Sequence, residues 1–326
     1  MRYRDLGSRS VSTLCLGTLP FGSVVDDDTS FSLLDRFVER GGSFIDTANC
    51  YCFWRDGSDG GDSERLVGRW LAERGIVDEI TVATKVGALP AGAGQWPANR
   101  EGLSRAAVET AVSGSLRRLG RESIDLLYGH IDDPRTGLDE TVDVFARLVA
   151  DGVVDQVGMS NQDVLRFSRA REIARRQNLP AFTALQQRHT YLTPAAEADF
   201  DYQVALDTPM LDYTATQPDL TVLAYSSLLG GAYTGTKPVP VEYRHAATDS
   251  ALAVLAEVAD EAGATPNQVV YAWMLHGTPA VIPLVGVSSL GQLDEALDAV
   301  ELDLTVEQCA RLDAARAART TVARAV

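Results

Sequence analysis

Residues 79–85, EITVATK, and residues 104–130, SRAAVETAVSGSLRRLGRESIDLLYGH, decide the architecture between them. The first is a short β-type run that ends on a lysine. The second opens on Ser104, a helix-capping residue, and reads as a helix up to Gly120, a residue suited to a left-handed helix end. It then enters another apolar run that closes on His130. Strand, helix, strand is the crossover unit of a parallel α/β protein, whose strands end on one rim. Lys85 and His130 are therefore expected on the same rim.

The alternation extends both ways. Strand-like runs occupy 12–18, 43–47, 79–85, 124–130, 154–160, 182–187, 220–226 and 280–286, with helix-like runs between them. Residues 30–42 place apolar side chains at 31, 33, 34, 37 and 38 before a Gly-Gly stop. Residues 139–152 open with acids and close on Gly152, while 265–277 carry Pro266 in the first turn and Gly277 after the end. Such a series predicts one domain over 1–326, a (β/α)8 TIM barrel of the α/β class. A doubly wound open sheet is the rival, weakened because no G-x-G-x-x-G follows the first strand. Segments 52–62, 87–103 and 228–250 follow strands two, three and seven and are expected as long βα loops over the C-terminal rim.

Hydrophobic residues make up 45% and charged residues 23%, the balance of a globular protein with a sizeable core. The net charge of −16 repels phosphates and anionic lipid, so nucleic acid and membrane are not expected partners. No apolar segment has the length of a signal core or a membrane span, which predicts a cytoplasmic protein. Cys15, Cys50, Cys52 and Cys309 have neither metal-ligand nor disulfide-framework spacing, so reduced thiols and no metal are expected. Oligomeric state is open.

Four polar residues stand at or just past strand ends: Asp46, Tyr51, Lys85 and His130. Taken singly, Asp46 reads as a helix cap, His130 as a structural histidine, and Tyr51 as one of ten tyrosines. Together they supply a proton-delivery site for carbonyl reduction. A free phenol has a pKa of about 10 and gives up its proton reluctantly at neutral pH. A neighbouring ammonium stabilises the phenolate, a carboxylate keeps that ammonium charged, and an imidazole orients the carbonyl.

At these residues the chain resembles the aldo-keto reductase superfamily. The carrying segments are GGSFIDTANCY (41–51), VATKVG (82–87), SLRRLGRESIDLLYGHIDD (115–133), GVVDQVGMSN (152–161), AYSSLLGGAYTG (224–235) and PLVGVSSLGQLDEAL (283–297). They occur in family order over most of the chain. The resemblance implies a barrel that binds a nicotinamide dinucleotide, with Asp46, Tyr51, Lys85 and His130 as the catalytic tetrad. It further implies that Ser160, Asn161 and Gln186 hold the carboxamide and that Tyr225 stacks on the nicotinamide ring. Ser226, Leu228 and Gly230 would line the pyrophosphate, and Gly286, Ser288, Gln292 and Glu295 would bind the adenosine end. Lys237 and Arg244, in the seventh loop, would close over the phosphates.

Two departures stand out. An insertion, FWRDGSDGGD (53–62), precedes the family's Ser-Glu pair; Phe53 and Trp54 in it, with Trp96 in the third loop, are expected as an apolar substrate wall. The last segment lacks the basic residue that often grips a 2′-phosphate, and Ala296 stands where asparagine is common. NADPH is nonetheless the expected cofactor, with NADH as the alternative. The expected activity is reduction of a small-molecule aldehyde or ketone, a keto-sugar or biosynthetic intermediate included. Its rivals are an alcohol or sugar dehydrogenase running oxidatively and a slow cofactor-sensing module like the potassium-channel β subunits.

Overall fold

An antiparallel hairpin of β1 (Tyr3–Leu6) and β2 (Arg9–Ser12) opens the chain. Then come the parallel strands β3 (Cys15–Gly17), β4 (Phe44–Asp46), β5 (Thr81–Val86), β6 (Ile124–Gly129), β7 (Val154–Ser160), β8 (Ala184–Arg188), β9 (Thr221–Tyr225) and β10 (Val281–Gly286). They pair in chain order, and β10 returns to β3 to close the barrel. This computed structural model describes residues 1–317; positions 318–326 of the expected domain lie outside the described residues.

Helices clothe the barrel: α1 (Asp27–Glu39), α2 (Asp62–Arg74), α3 (Arg105–Leu119), α4 (Leu138–Ala150), α5 (Val164–Arg176), α6 (Thr208–Ala215), α7 (Thr248–Ala262), α8 (Pro266–His276), α9 (Leu290–Asp298) and α10 (Val306–Ala317). Capping follows the sequence signals where they are strong. Thr265 caps α8 in a full capping box with Gln268, and Gly120 and Gly263 end α3 and α7 in the left-handed conformation. The barrel is the one expected. The hairpin and the additional helices α7 and α10 were not, and the run 12–18 divides between the end of β2 and the whole of β3.

Side chains alternate across a strand, so every second residue points into the barrel. Phe44, Ala83, Leu126, Tyr128, Ala184, Leu223, Ile282 and Leu284 form this interior, and Leu6 and Val11 of the hairpin join it. Gly158 makes room for Tyr128, since a Cβ there would come within 2.5 Å of the Tyr128 ring. Two residues further along the same inward rows stand Asp46, Lys85, His130, Gln186, Tyr225 and Gly286. The functional candidates are thus the top layer of the barrel's own packing pattern.

Candidate active site

Lys85 lies at the centre of the top layer and is fully buried. Its ammonium forms an ion pair with Asp46 and donates to the Thr47 carbonyl at 2.9 Å and to the Tyr51 hydroxyl oxygen at 3.0 Å. Burial works against the charge on Lys85, but the Asp46 carboxylate and Tyr51 more than offset it and raise the lysine above its ordinary range. Asp46 also accepts from Gln186 Nε2 at 2.9 Å, so both carboxylate oxygens are engaged. Tyr51 reaches Lys85 from the loop after β4, where its carbonyl accepts from the Gly61 amide at 3.0 Å.

Lys85 lowers the pKa of Tyr51 as expected, and burial of the phenol opposes it. Burial raises the phenol above its ordinary value, and Lys85 recovers only part of that rise. Tyr51 therefore stays protonated at neutral pH. Because Lys85 donates to the phenol oxygen, the Tyr51 proton is directed elsewhere. His130 stands beside it, with ring centroids 6.0 Å apart and planes at 72°. Burial and the charge on Lys85 push His130 well below the usual histidine range, so its imidazole is neutral.

Asp46, Tyr51 and His130 open onto a cavity of about 720 Å3 above the barrel. Ser160, Asn161, Gln186, Tyr225, Ser226, Leu228, Gly230, Lys237, Gly286, Ser288, Gln292 and Glu295 line it as well, as do Trp54 and Trp96. Asn161 adopts a left-handed backbone (φ 58°) and is a junction: its Nδ2 donates to the His130 carbonyl at 3.0 Å, and its Oδ1 accepts from Tyr225 Oη at 2.6 Å. The chain curls after β9, with positive φ at Ser226, Leu229, Gly230 and Gly231. At the far end Ser289 caps α9, and Gln292 Oε1 accepts from the Ser288 amide at 2.8 Å.

A model of the aldo/keto reductase family matches residues 13–317. The chain belongs to the aldo/keto reductase family. It is 31% identical over 316 residues to norsolorinic acid reductase stcV of Emericella nidulans, covering 91% of this chain and 76% of that one. It is 30% identical to the oxidoreductase YrpG of Bacillus subtilis, over 94% of this chain and 93% of the other. With the aryl-alcohol dehydrogenase GME11368 of Pestalotiopsis microspora it shares 27% identity, over 93% and 78% of the two chains. This aldo/keto reductase is accordingly an NAD(P)H-dependent oxidoreductase of the kind that acts on small-molecule carbonyl compounds.

Not every expected cavity residue is free for a ligand in this reductase. Arg244 is off the cavity lining: it is exposed, and its Nε donates to the Val239 carbonyl at 2.6 Å within its own loop. The amide nitrogen of Gln186 is committed to Asp46. The Glu295 carboxylate accepts from Thr265 Oγ1 at 2.6 Å and Asn267 Nδ2 at 3.2 Å, tying α9 to the start of α8. Phe53, Trp54 and Trp96 line the cavity together, joined by Tyr202, which the sequence did not single out. Phe53 meets Trp54 and Trp96, each at 5.4 Å between centroids, and Tyr202 meets Trp96 at 4.7 Å, so the aromatic wall spans three loops. Tyr202 carries no local signal that would pick it out. Among the described residues no helix is long and apolar enough to cross a membrane.

Proposed function

We propose that this reductase reduces an aryl aldehyde or ketone with NADPH, Tyr51 protonating the nascent alkoxide. The observation that carries the reading is the Lys85–Tyr51 contact at 3.0 Å, made by an ammonium that Asp46 holds in place. Its buried phenol is in the donor form, with its proton free to face the cavity.

The cavity suits an extended dinucleotide. At Gly230 and Gly286 an added Cβ would meet no protein atom within 4 Å, so the backbone is open there. Left-handed turns such as the one after β9 are a setting in which backbone amides form anion-binding concavities. In this reading Ser160, Asn161 and the remaining oxygen of Gln186 hold the carboxamide, and Tyr225, fixed through Asn161, presents its ring to the nicotinamide. Ser226, Leu228 and Gly230 meet the pyrophosphate, and Gly286, Ser288, Gln292 and Glu295 border the adenosine. Lys237 is the one lysine or arginine lining the cavity among the described residues, and it supplies the charge for the 2′-phosphate.

When bound, the reduced nicotinamide supplies a hydride to the carbonyl carbon. The chain does the rest. His130, neutral, donates a hydrogen bond to the carbonyl oxygen and aims it at Tyr51. Tyr51 gives its proton to that oxygen as charge develops, and Lys85 steadies the tyrosinate left behind. Solvent then restores the phenol proton.

Phe53, Trp54, Trp96 and Tyr202 favour a flat, apolar substrate, and the aryl-alcohol dehydrogenase relative fits that choice. The same relative's name supports oxidation of an aryl alcohol as the second reading. Four free cysteines suit a reducing compartment, and a cytoplasmic location is part of the proposal. Fluorescence titration with NADPH and NADH, followed by turnover of aryl, aliphatic and sugar carbonyls, tests it. Tighter NADPH binding and multiple turnover of aryl carbonyls are expected. Sub-stoichiometric turnover of every carbonyl would overturn it.

A further inference from the structure

The loop after β4 brings a thiol against the imidazole of the site. Cys50 Sγ lies 3.5 Å from His130 Nδ1. Cys50 is buried in a small cluster with Ala48, Tyr51, Cys52, Ala88 and Ile131. Its loop is pinned on both sides: the Asn49 amide donates to the Lys85 carbonyl at 3.0 Å, and the Phe53 amide donates to the Cys50 carbonyl at 3.1 Å. The thiol is therefore held at the imidazole rather than passing by it.

We propose that Cys50 is a positioning residue that donates its S–H to His130 Nδ1 and so fixes the tautomer in which Nε2 carries the proton. The chemistry of the two atoms sets the direction of the bond. An unprotonated imidazole nitrogen is a good acceptor, whereas a thiol sulfur is a weak one. A neutral imidazole has one donor and one acceptor nitrogen, so occupying Nδ1 as the acceptor leaves Nε2–H as the donor. Both groups are neutral at ordinary pH. Burial pushes the Cys50 thiol up to about 12, and burial with the Lys85 charge keeps His130 unprotonated.

The inference rests on the carbonyl-reduction reading for its consequence, since an Nε2–H donor is what a carbonyl oxygen beside Tyr51 requires. Its structural content needs no turnover. The test is 15N NMR of histidine-labelled protein without substrate, with the His130 signals assigned by loss in His130→Asn. Wild type is expected in the Nε2–H tautomer. Cys50→Ser, which keeps a donor, retains that tautomer and turns over near the wild-type rate. Cys50→Ala gives a mixed or reversed tautomer and loses kcat on the order of tenfold with KM for NADPH unchanged, a part of what a positioned acid–base side chain supplies.

An Nδ1–H tautomer in wild type would overturn the inference, as would a Cys50→Ala protein that keeps both tautomer and kcat. If Cys50→Ala fails to fold, the wild-type and Cys50→Ser spectra still decide it. Should no carbonyl be reduced while the tautomer result stands, the proposed function fails and the Cys50–His130 bond survives.

Discussion

Gln186 Nε2, on β8, donates to Asp46 Oδ2, on β4, at 2.9 Å, a bond between positions 140 apart that only barrel closure allows. It leaves Lys85 and Gln186 sharing one buried carboxylate. Gln186→Leu removes a donor from that charge. Leaving a buried acceptor without its partner costs about 1–3 kcal/mol. A fall of that size in urea-unfolding free energy is expected, with weaker nicotinamide binding. Unchanged stability would mean that Asp46 does not depend on Gln186.

Removing the lysine goes further. Lys85→Met strands the Asp46 carboxylate, and breaking a buried pair from one side costs roughly 3–5 kcal/mol. Adding Asp46→Asn removes the stranded charge, so the double variant is expected to recover much of the stability but none of the turnover. A double-mutant cycle on unfolding and on kcat separates the two roles of the pair. Additive stability losses would show that the ion pair is not coupled.

Much of the site could be read from the chain because its residues continue a pattern set by packing. Asp46, Lys85, Gln186 and Tyr225 each stand two residues after an interior residue of the same strand, and His130 follows Tyr128 in the same way. The parts that were not legible lack such a pattern. The β1–β2 hairpin is four residues a side, and its inward contribution is only Leu6 and Val11, too short a run to show a period. The Thr47 carbonyl that accepts from Lys85 is backbone, and backbone acceptors leave no mark in composition. Gln186 and Glu295 line the cavity as expected, but their bonds to Asp46 and to Thr265 and Asn267 were not legible, because a motif gives order and identity but not which neighbour claims the polar atoms. The place of Arg244 off the lining was not legible for another reason: a long loop fixes which rim it covers, not where each charge points.

Acid stability follows from the histidines. Burial, with the Arg316 charge, pushes His189 down to about 3, and His130 is also held well below its ordinary value. An unfolded histidine takes up a proton near pH 6.5, roughly, whereas these folded ones refuse it. Their contribution to stability is therefore complete above about pH 6.5 and is lost as pH falls toward the folded values, at about 1.4 kcal/mol per pH unit for each. Urea midpoints from pH 7 down to pH 4 check this. His189→Gln is expected to flatten the dependence, and an unchanged slope would remove His189 from the account.

The aromatic wall makes a substrate prediction. Trp96 is fixed by its Nε1 bond to the Ala88 carbonyl at 2.7 Å and touches both Phe53 and Tyr202. Trp96→Ala is expected to lower kcat/KM for an aryl ketone by about tenfold or more, on the scale of an aromatic contact plus its buried area. A small aliphatic aldehyde, which need not reach the wall, is expected to change little. Equal losses for both substrates would place Trp96 in the loop scaffold instead.

Tyr51→Phe tests the central claim most directly, with NADPH affinity read by fluorescence and single-turnover reduction read at the nicotinamide absorbance. The account predicts affinity close to wild type and a reduction rate lower by about 10²–10⁴, the usual contribution of a positioned general acid. A variant that reduces its carbonyl at the wild-type rate would contradict it.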